Sequence, residues 1–163
     1  SKGVLTRWRW PTIIQAISEK QGEVAPDQIM EEFKHAYIEQ KEPIHFKKLK
    51  VEDLSEETES EFDTEVTVMY TDHGEEKLFR AIGNGPIDAV KRGLADSLSI
   101  NIKILDYEEH ALQSGSNSQA AAYIHLLDAE EGRVTYGVGV SSNITRASVR
   151  AIFSAVNRLG LGK

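Results

Sequence analysis

The strongest constraint in this 163-residue chain is one pattern used twice. Runs of alternating apolar and polar residues, which mark half-buried strands, precede a run with apolar residues at helical spacing, and the order then repeats. In the first half, Phe46 to Val51 reads as a strand. Phe62, Thr64, Val66, Val68 and Tyr70 then alternate with Asp63, Glu65, Thr67 and Met69. Asp72-His73-Gly74-Glu75 is turn chemistry, Lys77 to Ile82 returns as a hairpin partner, and Gly83-Asn84-Gly85-Pro86 leads into a helix with Ile87, Val90, Leu94 and Leu98 on one side. In the second half, Ile100, Ile102 and Ile104 alternate with Asn101, Lys103 and Leu105. Gln119 to Leu127 is a long strand, Asp128 to Gly132 a turn, and Val134, Tyr136, Val138 and Val140 its partner. Ser142 or Asn143 caps a last helix carrying Ile144, Ser148, Ala151, Ile152, Ala155, Val156 and Leu159. Gly137-Val138-Gly139 reads as the counterpart of the first glycine pair. Gly83 and Gly137, like Phe46 and Ile100, are 54 positions apart. Residue identity between the halves is low, so the repeat is one of pattern. The expected fold class is α+β: tandem pseudo-symmetric βββα units, with two antiparallel three-stranded sheets and their helices.

Two helix candidates precede the repeats. One starts near Pro11 and stops at Gly22; the other runs from about Pro26 to Ile38 and is broken at Glu42-Pro43. Trp8 and Trp10, between Arg7 and Arg9, are packing anchors for this pair or contacts to a region upstream. The expected organisation is a helical linker subdomain over 1–43, then a domain over 44–163 made of repeats 44–98 and 99–163.

Composition narrows the function classes. With 26 acidic and 19 basic side chains, the formal charge of −7 argues against nucleic acid, whose phosphates require a concentrated basic face. Eight of the acids lie between Glu52 and Glu65, in a block with no basic residue that reads as a solvated loop or as a docking surface for a basic partner. Outside that block the balance is 19 basic against 18 acidic, nearly neutral. No cysteine is present, which removes a thiol nucleophile, a thiolate metal site and disulfides. No apolar run approaches the roughly 18 residues of a membrane span, and the first residues lack a signal peptide's apolar stretch. A cytoplasmic protein with no membrane partner is expected.

Chemistry-bearing residues are few. Glycines opening a helix after a strand either make a tight turn or let backbone N–H groups approach an anion, where the helix start adds about half a positive charge. Residues 86–89 supply no third glycine, so a dinucleotide fingerprint is not formed. His35, His45, His73, His110 and His125 show no metal-ligand spacing. Asp106-Tyr107-Glu108-Glu109-His110 is the one dense titratable cluster. Lying before the Gly115-Ser116-Asn117-Ser118 loop, it reads as part of a binding loop rather than as an acid–base site, since no nucleophile with a paired base is recognisable. The small residues of Gln119-Ala120-Ala121-Ala122-Tyr123 admit close helix packing or leave room for a ligand.

Taken in order, Gly83 to Ala89, Leu105 to Ala111, Gly115 with Gln119 to Tyr123, Gly137-Val138-Gly139 with Ile144 to Ser148, and Ser154 to Arg158 resemble the C-terminal regulatory domain of 2-isopropylmalate synthases, the long type nearest. The resemblance spans essentially the whole chain, and the helical front is similar to that family's linker subdomain. It implies full-length relatives with an N-terminal metal-dependent barrel that condenses acetyl-CoA with 2-oxoisovalerate. It further implies a pair of βββα units that dimerises and binds L-leucine as a feedback inhibitor. This chain, which holds no barrel, is then expected to be catalytically silent and free of cofactors, the divalent metal belonging to the barrel. Its expected partners are leucine, a second copy and its own catalytic domain.

Position by position, the resemblance points to Gly83, Gly85 and Ile87 at the first helix start and to Ile104, Tyr107 and Ala111 from the next strand and the loop after it. It adds Ser118 and Ala120 further on, and Ile144 at the second helix start. An ammonium group needs carbonyls or an acid, for which Asp88 or Asp106 is the candidate. Ser118 and Asp88 depart from the alanine-like residues of the family pattern, making the pocket more polar and placing a negative charge near a carboxylate. A citramalate synthase domain sensing isoleucine and a ligand-free dimerisation module are the alternatives.

Overall fold

The computed structural model describes residues 42–111 and 119–160. The helices expected over 11–22 and 26–38, nearly all of the linker subdomain 1–43, and the loop carrying Ser118 lie outside these residues. Strands β1 (Ile44–Asp53), β2 (Thr64–Asp72) and β3 (Glu75–Gly83) form one antiparallel sheet in the order β1-β2-β3, followed by helix α1 (Pro86–Leu98). Strands β4 (Ile102–Ala111), β5 (Ala120–Asp128) and β6 (Arg133–Ser141) form a second in the order β4-β5-β6, followed by helix α2 (Ile144–Asn157). The fold is the expected α+β pair of βββα units.

Local chemistry places most boundaries. The His73-Gly74 turn has both residues at positive φ, 52° and 83°, as a two-residue hairpin requires. The second hairpin closes on Asp128, whose carboxylate accepts from the Glu130 N–H at 3.1 Å, and on Gly132 at φ 71°. α1 begins with Pro86, which needs no N–H partner there, and α2 begins at Asn143, whose Oδ1 accepts from the Arg146 N–H at 2.9 Å.

The repeat register differs from the expected one. The starts of β1 and β4 (44 and 102), of β3 and β6 (75 and 133) and of α1 and α2 (86 and 144) are each 58 positions apart, not 54. The central strands are offset by 56 (64 and 120), because ten residues link β1 to β2 and eight link β4 to β5. The counterpart of Gly83-Asn84-Gly85 is therefore Ser141-Ser142-Asn143, and Gly137 and Gly139 lie inside β6. Their reason is packing. A Cβ on Gly137 would stand 2.1 Å from the Ala151 carbonyl oxygen, and one on Gly139 2.1 Å from that of Ala147. In the first repeat the small residue sits on the other partner: a Cβ on Gly93 of α1 would strike the Phe79 ring of β3 at 2.2 Å. Shifted by 58, Gly93 becomes Ala151 and Phe79 becomes Gly137, so the two repeats solve one close contact from opposite sides.

Three further boundaries move. β2 starts at Thr64, and Phe62 stands outside it, 41% exposed. β4 starts at Ile102 rather than Ile100 and continues through Asp106 to His110, so that cluster is strand and not loop. The cause is a bulge: the β4–β5 register shifts between Ile104 and Asp106, expelling Leu105 and turning Tyr107 toward α2. β1 bulges at the equivalent place, between Phe46 and Lys48.

α2 joins the repeats. Its residues from Ala147 to Asn157 are buried apart from Arg150. Phe153 packs on Phe46 and Tyr70 of the first sheet, each with ring centroids 5.7 Å away. Asn157 then binds the start of β1 with both ends of its amide: Oδ1 accepts from the Ile44 N–H at 2.9 Å, and Nδ2 donates to the Ile44 carbonyl at 2.8 Å. One continuous core results, with Val66, Val68, Leu94, Ile124, Leu126 and Ile152 fully buried. Each such side chain contributes roughly 1.5–3 kcal/mol.

Two substitutions test this account by urea denaturation. Gly137→Ala forces β6 and α2 apart and is expected to lower stability by about 1–3 kcal/mol, as overpacking does. Asn157→Leu leaves two buried backbone groups of Ile44 unpaired, at about 1–3 kcal/mol for each. Unchanged denaturation midpoints would contradict both contacts.

Candidate functional site

The two helix starts, lying at equivalent positions, are built differently. At α1 the chain leaves β3 at Gly83 and passes Gly85, the N-cap, at φ 155°, where side chains are rarely accommodated. Gly83 is needed for space, since a Cβ there would meet the Ala89 nitrogen at 2.5 Å and Asp88 Oδ2 at 2.7 Å. That closeness lets Asp88 reach back, so that its Oδ2 accepts from the Asn84 N–H at 3.0 Å and from Arg92 Nε at 2.8 Å, while Lys91 Nζ stands 3.7 Å from Oδ1. Burial by itself raises the Asp88 pKa. The Asn84 bond and the two cations outweigh it and hold the carboxyl below its ordinary value. The negative charge of Asp88 is thus already neutralised by α1's own residues. Arg92 also lies over the Phe62 ring, 4.8 Å from its centroid, which ties the end of the acidic segment to α1.

At α2 the order reverses, with the N-cap side chain reaching forward. Ser141 Oγ accepts from the Asn143 N–H and from Arg146 Nη1, both at 3.1 Å. Arg146 occupies the position that Asp88 holds in α1.

Of the ten residues expected to hold a ligand, Ser118 lies outside the described residues. Gly83, Gly85, Ile87 and Asp88 come together at the start of α1. Tyr107, Ala111, Ala120 and Ile144 gather where the second sheet meets α2. Ala111 pairs with Ala120, and Ala120 with Ser141, three residues before Ile144. The Tyr107 hydroxyl donates to the Glu109 carboxylate, and Ser148 Oγ lies 2.7 Å from it and 2.9 Å from the Ile144 carbonyl oxygen. Burial and then the Glu109 contact push the Tyr107 pKa up, so the phenol stays neutral. Ile104 and Ile87 pack against the shared core, and Ile144 is 37% exposed. Ser148 and Glu109, which hold Tyr107, were not singled out as site residues. A serine within an apolar helix face was the available signal.

The arrangement suits binding rather than proton transfer. Glu109 and His110 are consecutive in β4 and project to opposite faces of the sheet, so they form no dyad. Among the described residues, no three His, Asp or Glu side chains are grouped to hold a metal ion. No described helix is long and apolar enough to cross a membrane.

Because the folded-state pKa of Asp88 is depressed, its stabilisation is present above the ordinary aspartate value of about 3.9 and is lost as pH falls through its lower folded value. Asp88→Asn is expected to cost about 0.5–1.5 kcal/mol at pH 7. The difference from the parent should shrink toward pH 3 in thermal melts; a pH-independent difference would exclude the charge as its source.

Comparison with known proteins agrees with this geometry. The sequence profile of the LeuA allosteric (dimerisation) domain matches residues 23–160. The chain is 33% identical to the 2-isopropylmalate synthase of Clostridium acetobutylicum over 83% of its own length and 24% of that protein's. It is 36% identical to the 2-isopropylmalate synthase of Mycobacterium leprae over 89% of its own length and 23% of that protein's. A shorter match, 51% identical over 87 residues, is to the 2-isopropylmalate synthase of Kineococcus radiotolerans. The chain thus spans about a quarter of the length of the first two relatives. With the profile covering most of its residues and both βββα units, this chain belongs to the LeuA allosteric (dimerisation) domain family.

Proposed function

We propose that this chain is the dimeric, leucine-binding feedback domain of a cytoplasmic 2-isopropylmalate synthase, and that it carries no condensing activity of its own. The observation that carries the reading is the LeuA allosteric domain match across both repeats, joined to a helix start whose one acidic side chain is already neutralised. The leucine carboxylate is received by the first-turn N–H groups of α1. Its isobutyl group is enclosed by Ile87, Ile104, Ala120 and Ile144, with Tyr107 held in place by Glu109 and Ser148. The side chain contributes roughly 1.5–3 kcal/mol. Micromolar binding needs about 8 kcal/mol, so the charged ends supply most of the affinity. A second copy is supported by Leu78 and Ile82, both exposed and four residues apart on edge strand β3. Feedback then requires that leucine favour one state of the whole enzyme by typically 1–3 kcal/mol.

Calorimetric titration with leucine, isoleucine and valine tests the assignment, with leucine expected to bind tightest. Tightest binding of isoleucine would transfer the domain to a citramalate synthase, and no heat or thermal shift at millimolar ligand would leave a dimerisation module only. Light scattering is expected to give twice the chain mass; a monomer overturns the dimer.

A further inference from the structure

Of the five asparagines in the chain, Asn84 is the one followed by glycine. In such a pair the glycine amide nitrogen can attack the asparagine side-chain carbonyl carbon, because no Cβ hinders the approach. Three features leave that path open at Asn84-Gly85. Asn84 is exposed, and only its backbone N–H is engaged among the described residues, by Asp88 Oδ2 at 3.0 Å. The Gly85 N–H has no partner among them either. A Cβ built on Gly85 would meet nothing within 4 Å, so the space beside the nucleophile is clear.

The other described asparagines are protected. Asn101 precedes Ile102, which is branched at Cβ and 4% exposed. Asn143 precedes the equally branched Ile144, and its Oδ1 is held by the Arg146 N–H at 2.9 Å. Asn157 is buried, with both ends of its amide bonded to Ile44. In the 58-residue register Asn84-Gly85 becomes Ser142-Asn143, so the second helix start has no equivalent pair.

We propose that Asn84-Gly85 is a self-modification site, and that its reaction is a one-way switch on the first helix start. The Gly85 nitrogen gives up its proton to solvent and bonds to Asn84 Cγ. The Cγ–Nδ2 bond breaks, and the side-chain nitrogen leaves as ammonia. Water then opens the resulting succinimide ring by breaking one of its two bonds to the Gly85 nitrogen. Opening at Cγ gives aspartate; opening at the backbone carbonyl gives isoaspartate, with the main chain running through Cγ. Either product sets a new carboxylate beside Asp88, and isoaspartate also lengthens the main chain by one methylene between β3 and α1. Lys91 and Arg92 already balance Asp88, so the added charge opposes a carboxylate at the first turn. The loss of leucine binding rests on the leucine reading above; the modification does not.

The test keeps the full chain in mildly alkaline buffer at physiological temperature and then digests it with trypsin. Cleavage after Arg80 and Lys91 releases residues 81–91, in which Asn84 carries the one side-chain amide. This fragment is expected to gain about 1 Da over days, as a mixture of isoaspartate and aspartate. Fragments carrying Asn101, Asn143 and Asn157 should keep their masses, and so should the 81–91 fragment of Asn84→Gln, whose amide is one methylene too far for the same ring. By calorimetry the aged parent should bind leucine about tenfold or more weakly, and aged Asn84→Gln as tightly as when fresh. If the fragment is unchanged in the folded chain while the same peptide gains mass free in solution, the fold blocks the reaction and the site is overturned. Modified chain that binds leucine as tightly as fresh chain, or that loses its fold by circular dichroism, overturns the switch. A mass gain in a chain that binds no leucine even when fresh overturns the leucine reading and leaves the modification standing.

Discussion

Helix α2 can be shared by two sheets only because it lies almost on the backbone of β6. Gly137 and Gly139 present bare backbone to Ala147, Ala151 and Ala155, and the gap is too small for a methyl group. The polar groups of this edge strand are served from the helix. The Val138 N–H donates to Ser154 Oγ at 3.1 Å, Thr135 Oγ1 donates to the Ala155 carbonyl at 3.0 Å, and Arg150 Nη1 donates to the Val140 carbonyl at 2.7 Å. With one side of α2 so close to its own sheet, Phe153 and Asn157 on its other sides reach the first repeat. A wider spacing would remove those contacts and separate the core into two halves too small to be stable alone.

The same economy shapes the helix starts. Both follow an edge strand after a two-residue link, but only the second carries a side-chain cap. The first uses an acid that reaches back, together with the cations that neutralise it; the second uses an asparagine that reaches forward, leaving an arginine at the acid's position. Equivalent geometry therefore carries opposite charge, and duplicated positions become chemically distinct. The bulges at Lys47 and Leu105 do related work, because each turns the residues beyond it, Leu49 or Tyr107, toward a helix.

How much of this was legible differs from residue to residue. The hairpin at His73-Gly74 and the cap at Asn143 were readable because their chemistry is local. Val66, Val68 and Leu94 were readable as core because burial on one face imposes a period. Phe62 continued the alternation of β2 in sequence, yet in the fold it leaves the sheet for Arg92. Asp106 to His110 read as a loop because it is dense in charge, but an edge strand needs only one apolar face. Gly137 and Gly139 imitated a helix-start motif while serving as contact surface.

The sequence by itself determined the order of elements, the tandem βββα architecture and the family, because periodicity, turn residues and motif order are properties of neighbours along the chain. The tertiary structure alone decided the 58-residue register, the function of the β6 glycines, and which side chains meet at each helix start. Those outcomes depend on bulges, loop lengths and contacts as distant as Ile44 with Asn157, 113 positions apart. A one-residue shift in a strand reverses every face beyond it, and only the packed core selects which phase survives.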